Sequence, residues 1–146
     1  NAANNVLYGL DGLDTIKGMA GADTIVGGKG GDDLYAGVDT VRDVFQFQTY
    51  QDSATNASNV NLLDWIIEFK RGSDKIDLSL LDADANVRAN QAYKLDTNGD
   101  FKAGEIKLVK SGTHTIVLLN SDADSLSELA FMVRNVSTLS ASDFIM

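Results

Sequence analysis

The sequence predicts an all-β fold, a parallel β-roll continued by an antiparallel β-sandwich cap. Three observations predict it. Glycine and aspartate recur on a nine-residue beat near the start of the chain. A large aliphatic residue stands at the eighth place of each unit on that beat. Past Val44 the glycines thin and alternating apolar runs take over. A fixed short period is the mark of a repeat architecture, and period-two alternation is the mark of half-buried strands.

The first unit is Gly9-Leu10-Asp11-Gly12-Leu13-Asp14-Thr15-Ile16-Lys17. Gly18-Met19-Ala20-Gly21-Ala22-Asp23-Thr24-Ile25-Val26 and Gly27-Gly28-Lys29-Gly30-Gly31-Asp32-Asp33-Leu34-Tyr35 follow it without a break. Each reads Gly-x-x-Gly-x-Asp-x-U-x, with U aliphatic. The six residues up to the aspartate form a tight turn, because glycine tolerates positive φ. The last three form a very short strand whose middle side chain faces one side only. Leu7, Ile16, Ile25 and Leu34 are therefore expected to stack in one interior column. Two units make one full coil, so Asp14 is expected over Asp32 and Asn5 over Asp23. A flexible Gly-rich acidic linker would not keep an aliphatic residue at every eighth position.

Both ends of the array are degenerate, as terminal repeats are. Residues 1–8 end like a unit, with Asn5 in the aspartate place and Leu7 in the core place. Residues 36–45 end on Asp43-Val44-Phe45 but carry about two extra residues, so Asp39 or Asp43 is the carboxylate there.

Stacked turns of this kind bring carboxylates and backbone carbonyls face to face. The carboxylates repel unless a hard cation lies between them. Calcium takes six to eight oxygens in flexible geometry, whereas magnesium demands a tight octahedron. With no Cys and one His in the chain, no softer metal is indicated.

The chain has 146 residues, enough for one domain with a real core. It is 44% hydrophobic, with a net charge of −9 and a pI of about 4.3. That acidity argues against nucleic acid, where a basic face supplies most of the affinity, and against anionic membrane surfaces. No apolar run is long enough to span a membrane, and no N-terminal signal peptide is expected. The first residue is Asn1, and the chain is expected to be a fragment or processed piece.

In the second half, segments 44–47, 62–69, 75–78, 105–109, 113–119 and 128–133 read as strands. Segment 52–61 reads as a polar loop, and 80–90 as holding a short helix. With no proline, turns rest on Gly, Asn, Asp and Ser. The expected division is residues 1–43 as roll and 44–146 as sandwich cap, one continuous structural domain. Asp96-Thr97-Asn98-Gly99-Asp100 has oxygens where a calcium loop of the EF-hand type places its first ligands. Phe101 stands where that loop needs Gly, and Lys107 where it needs Glu, so a polar hairpin turn is the expectation. Trp65 is expected in the core of a cap strand.

The nonapeptides resemble the calcium-binding β-roll repeats of RTX proteins. A second resemblance runs through Asp43-Val44-Phe45-Gln46-Phe47, Asp52-Ser53, Asp64-Trp65-Ile66-Ile67-Glu68-Phe69 and Gly72-Ser73-Asp74-Lys75-Ile76-Asp77-Leu78-Ser79. With Asn120-Ser121-Asp122-Ala123-Asp124 and the closing Leu139-Ser140-Ala141-Ser142-Asp143-Phe144-Ile145-Met146, it is similar to the C-terminal domain of serralysin-type metalloproteases. It also resembles the R modules of alginate epimerases. The resemblance covers nearly the whole chain.

This resemblance implies calcium between successive coils. The lower turn gives the carbonyls of its second and fourth positions and its Asp; the upper gives those of its first and third and its Asp. One site would use Leu10, Gly12 and Asp14 with Gly27, Lys29 and Asp32. A second would use Met19, Gly21 and Asp23 with Asp43 or Asp39. A third, below Gly18, Ala20 and Asp23, has Asn5 in place of a carboxylate and is expected weak or empty. Gly28 and Gly30 complete the candidate ligands on the third repeat, and Asp52 and Asp64 resemble positions whose carboxylates close the last site.

The resemblance further implies a calcium-dependent folding and secretion module at the C-terminus of a larger bacterial protein. That protein would be exported by type I secretion machinery to the extracellular space, with the signal near Asp143–Met146. The rival implication is a polysaccharide-binding module assisting an upstream domain. A plain structural cap is a third. The chain has no His-Glu-x-x-His, no Gly-x-Ser-x-Gly and a lone His114, so no catalysis is expected of it.

Overall fold

The computed structural model describes residues 1–55 and 57–146. Its first strands are β1 (Val6–Asp11), β2 (Thr15–Lys17), β3 (Thr24–Lys29), β4 (Asp33–Tyr35), β5 (Val44–Gln46), β6 (Asp64–Ile67) and β7 (Lys75–Asp77). These alternate between two sheets. Next come β8 (Lys94–Leu95), β9 (Glu105–Ser111), β10 (His114–Asn120), β11 (Leu129–Val133) and β12 (Phe144–Ile145). One sheet has the order β1-β3-β5-β7-β12, the other β2-β4-β6-β11-β10-β9-β8.

The nine-residue beat sets the register. Val6 lies beside Thr24 and Thr15 beside Asp33, so one coil is two units. A three-residue strand has one inward side chain, and the coil repeats it in the same place. Leu7, Ile25, Phe45, Ile76 and Phe144 therefore form one interior column. Ile16, Leu34, Ile66 and Val133 form another on the facing sheet. The single column expected from the sequence is thus two, because successive units belong to opposite sheets. The columns meet in one core with Phe47, Phe69, Phe131, Ile106 and Leu119. Fully burying each such side chain contributes about 1.5–3 kcal/mol.

Past Val44 the pairing departs from the antiparallel expectation. Segments 44–47, 62–69 and 75–78 supply β5, β6 and β7, and all three pair in parallel as further coils. Even β11 and β12 add in parallel, to β6 and β7. Among the described residues antiparallel pairing is found between β9, β10 and β11 and at one isolated bridge, Ala54 with Ala130. Alternating polarity looks the same in both kinds of strand, so the sequence did not separate them.

Two further corrections concern loops. No helix forms over 80–90, where Asp82 and Asp84 side chains accept the backbone N–H groups of Asp84 and Asn86. Such local bonds compete with a helix. Segment 96–100 is not a hairpin, because β8 pairs with β9 in parallel. The polar segment 52–61 is irregular up to a short 3-10 turn at Val60–Leu62; its Asn56 lies outside the described residues. Among the described residues no helix is long and apolar enough to cross a membrane.

Candidate metal centre

The turns of the roll line two edges, and an aspartate ends each turn. On one edge the Asp14 N–H donates to Asp32 Oδ1 at 2.8 Å, and the Asp32 N–H to Asp64 Oδ1 at 3.0 Å. On the other, Asn5 N–H donates to Asp23 Oδ1 at 2.8 Å, Asp23 N–H to Asp43 Oδ1 at 2.9 Å and Asp43 N–H to Asp74 Oδ1 at 3.1 Å. Each carboxylate thus receives the N–H of the aspartate or asparagine one coil below. The coil period creates both ladders, because an Asp always stands two residues before the inward side chain.

Oδ1 of Asp23, Asp32 and Asp64 is thereby used. Oδ2 of Asp14, Asp23, Asp32 and Asp64 is buried with no hydrogen-bond partner. A buried ionised oxygen without a partner is costly. Burial, then the neighbouring charges of Asp32 and Asp52, pushes the Asp64 carboxyl up to about 9. Burial and the charges of Asp74, Asp23 and Asp39 push Asp43 up to about 6. Asp32 and Asp74 are raised chiefly by burial as well. A row of carboxyls that resist ionisation is the setting in which a divalent cation is most favourable.

The backbone turns carbonyls toward the same places. A Cβ on Gly9 would stand 2.4 Å from the Gly27 carbonyl oxygen and 2.8 Å from Asp14 Oδ2. A Cβ on Gly18 would stand 2.6 Å from the Ala36 carbonyl oxygen and 2.8 Å from Asp23 Oδ2. From below, the Leu10, Gly12 and Met19 carbonyl oxygens press so close on Gly28, Gly30 and Gly37 that a Cβ there would be within 1.9, 1.7 and 1.8 Å. Leu10 and Met19 themselves take left-handed φ of 79° and 78° at the second place of their units. Carboxylate and carbonyl oxygens in this number suit a hard cation such as calcium.

Leu10, Gly12, Asp14, Gly27 and Asp32 come together on one edge. Lys29 joins them through its carbonyl, which also accepts the Gly12 N–H at 2.8 Å. On the other edge Met19, Gly21 and Asp23 lie under Asp43, which holds the ladder position. Asp39 reaches the Gly21 N–H with Oδ2 at 2.7 Å. Below Asp23, the Asn5 amide Nδ2 donates to Oδ1 at 3.1 Å. Ala20 donates its N–H to the Asn1 carbonyl there, at 3.1 Å.

Asp64 closes the first ladder, where its own N–H donates to Ser53 Oγ at 2.8 Å. Asp52 turns inward on its own loop, accepting from Thr49 Oγ1 and the N–H groups of Gln48 and Thr49. It reaches Asp32 and Asp64 through its charge alone.

Asp74 and the Ala36 carbonyl were not expected. Asp74 was legible, since Asp74-Lys75-Ile76 repeats the Asp-x-U spacing of the units; a carbonyl has no side-chain signature. Two further acidic groups, Asp96, Asp100 and Glu105, and Asp122, Asp124 and Glu128, bring ligand oxygens within 4.8 Å of one another. In the first, Glu105 is ion-paired to Lys94 and Asp100 to Lys102. Trp65 is half-buried outside the main core, packed on Leu63, Ala130 and Met132, with its ring 5.9 Å from His114.

The profile of the family described as Peptidase M10 serralysin C terminal matches residues 6–146. The chain belongs to the serralysin C-terminal family. Two solved structures share its fold. One is the AlgE6R3 subunit of the Azotobacter vinelandii mannuronan C5-epimerase, at 24% identity and a TM-score of 0.57, over 99% of this chain and 78% of that one. The other is the AlgE6R2 subunit of that enzyme, at 25% identity and 0.58, over 97% of this chain and 91% of that one. No curated protein matches. Family and fold together support a calcium-binding β-roll module of a larger protein.

Proposed function

We propose that the chain is a non-enzymatic, calcium-folded module at the C-terminus of a larger bacterial protein that is secreted by a type I system. The observation that carries this reading is the set of buried, partnerless Oδ2 atoms on Asp14, Asp23, Asp32 and Asp64. Calcium, when bound, supplies the positive charge that offsets these carboxylates. Leu10, Gly12, Asp14, Gly27, Lys29 and Asp32 would hold one ion. Met19, Gly21, Asp23, Ala36 and Asp43 would hold a second. Gly28, Gly30 and Asp32 below Asp64 would hold a third.

Where calcium is scarce, the facing carboxylates oppose coiling and the chain stays open for export. Where calcium is abundant, it binds the folded chain and shifts the equilibrium. At ten times Kd one site contributes about 1.4 kcal/mol, so several coupled sites decide the fold. Circular dichroism in chelator and then in millimolar calcium tests this. The expected result is a gain of β signal and a rise in Tm; unchanged spectra and Tm would end the reading.

A second reading, a polysaccharide-binding module, is favoured by one feature. Along the outer face of the seven-stranded sheet, Lys17 Nζ lies 5.2 Å from the Tyr35 ring centre, with Trp65 and His114 on the same face. The fold neighbours are subunits of a mannuronan C5-epimerase. Titration with alginate oligomers in calcium discriminates, since absence of heat and of shifts at these residues removes it.

A further inference from the structure

Asn98 is the only asparagine of the chain that is followed by glycine. An asparagine amide is chemically labile. Glycine, having no Cβ, lets its own nitrogen come closest to the preceding side chain. The pair lies exposed in the loop between β8 and β9. Both ends of that loop are held. The Asp96 N–H donates to the Ile106 carbonyl at 2.9 Å, and the Lys102 N–H donates to the buried Glu105 carboxylate at 2.8 Å.

The Asn98–Gly99 peptide has groups of opposite character on its two sides. Asp96 Oδ1 accepts the Gly99 N–H at 2.6 Å and the Asn98 N–H at 3.1 Å. The Asp100 N–H donates to Asn98 Oδ1 at 3.4 Å, and the Asp100 carboxylate is itself paired with Lys102. Gly99 takes a left-handed φ of +83°, and a Cβ there would meet nothing within 4 Å. Asn120 is the contrast. It precedes Ser121, is 0% exposed, and its Nδ2 donates to the Phe101 carbonyl at 3.0 Å and the Asp124 carbonyl at 2.7 Å. The amide of Asn120 is locked in, whereas Asn98 stands in solvent.

We propose that Asn98 is a self-modification site, which loses its side-chain amide through a cyclic imide with Asp96 as proton acceptor. The Gly99 nitrogen gives its proton to the Asp96 carboxylate and bonds to Asn98 Cγ. The Asp100 N–H faces the oxygen on which negative charge collects, as donors do at an acyl centre. The Cγ–Nδ2 bond then breaks, and the nitrogen takes the proton from Asp96 and leaves as ammonia. Water opens the imide at one carbonyl or the other, leaving aspartate or isoaspartate at position 98. Water is the only reagent consumed. The new carboxylate joins Asp96, Asp100 and Glu105, whose oxygens already lie within 4.8 Å of one another. The change runs one way, so the loop marks the age of the chain. None of the ladder aspartates takes part, and the inference does not rest on the calcium reading.

The test ages the folded full chain at mildly alkaline pH in saturating calcium, with circular dichroism as the check on folding. A chain that folds without calcium is aged without it. The sample is then unfolded and cut with trypsin. Cleavage after Lys94 and Lys102 isolates residues 95–102, in which Asn98 is the one asparagine. Mass spectrometry reads the change from amide to acid, and chromatography separates isoaspartate from aspartate. Asn98 is expected to convert before every other asparagine. A chain aged in urea serves as the reference for the chemistry without the fold. Conversion in urea but not in the folded chain would show that the loop protects the amide, and overturns the inference. Absence of conversion in both overturns it too.

Two variants test the roles of the residues. Asp96→Asn keeps an oxygen for the Gly99 N–H but removes the base, and is expected to slow conversion in the folded chain about tenfold or more. An equal or faster rate would show that Asp96 only restrains the nitrogen, and overturns its assigned role. Asn98→Gln is expected to abolish the mass change in this peptide and to leave Tm unaltered. A mass change that persists overturns the assignment to Asn98.

Discussion

The N–H of Asp14 binds Oδ1 of Asp32, one coil above, at 2.8 Å, and the Oδ2 of both residues is left buried without a donor. The hydrogen bond fixes the stacking of coils. The free oxygen creates the demand for a cation. One residue type at one place in the repeat therefore does both things.

Replacing Asp32 with Asn keeps an Oδ1 for the Asp14 N–H and removes the ligand charge. Asp32→Asn is expected to raise the calcium midpoint about tenfold or more, because affinity follows ligand charge count. Asp100→Asn, whose carboxylate is paired to Lys102, is expected to leave it unchanged. Calcium titration followed by circular dichroism compares the two; equal midpoints would refute the ranking.

Acid should stabilise the calcium-free fold. The Asp43 and Asp64 carboxyls stand at about 6 and about 9, above the unfolded value near 3.9. The fold therefore binds these protons more tightly than the unfolded chain does. Their contribution is complete below about pH 4 and is lost as pH rises through 6 and then 9. Asp77 and Asp143 are lowered, Ser79 and Ser140 holding the ionised forms against burial, so their contribution changes only below about pH 4. In chelator, Tm at pH 5 should exceed Tm at pH 8, and saturating calcium should remove or reverse the order. A calcium-free Tm that climbs from pH 5 to pH 8 would contradict this.

Close approach of coils makes Gly28 irreplaceable. Its φ is +93° and a Cβ would lie 1.9 Å from the Leu10 carbonyl oxygen, which is backbone and cannot move aside. Gly99 has a similar φ of +83° with nothing within 4 Å. Gly99→Ala should cost about 1–2 kcal/mol, the left-handed penalty alone. Gly28→Ala should cost more than 3 kcal/mol by adding displacement of the coil, up to about 5. Urea unfolding in saturating calcium measures both.

Removing Arg71 leaves the buried Asp143 carboxylate without its cation, although Ser140 still donates to it through N–H and Oγ. Arg71→Ala is expected to cost about 1–3 kcal/mol and to raise amide exchange in β12 before other strands. Unaltered exchange at Phe144 and Ile145 would show that the pair holds nothing.

The nine-residue beat made the first coils legible down to the pairing of Asp14 with Asp32 and Asn5 with Asp23. What followed was harder because spacing broke. Ile25 pairs with Phe45 and Leu34 with Ile66, across insertions of different length, so no fixed period connects them. The local Asp-x-U signal survived those insertions in Asp43, Asp64 and Asp74. It is the better guide where the beat fails. Pairing direction stayed hidden, since β5, β6 and β7 alternate in polarity as antiparallel strands do. The Ala36 carbonyl was invisible for another reason: backbone ligands follow from turn shape, not residue type.

The most direct test is a crystal structure of the calcium-loaded chain, with anomalous density locating each ion. An ion is expected between the turns of Asp14 and Asp32, within about 2.3–2.6 Å of Asp14 Oδ2 and the Gly27 carbonyl oxygen. Density only at the Asp96 or Asp122 loops, with the Oδ2 atoms of Asp14 and Asp32 bare, would contradict it.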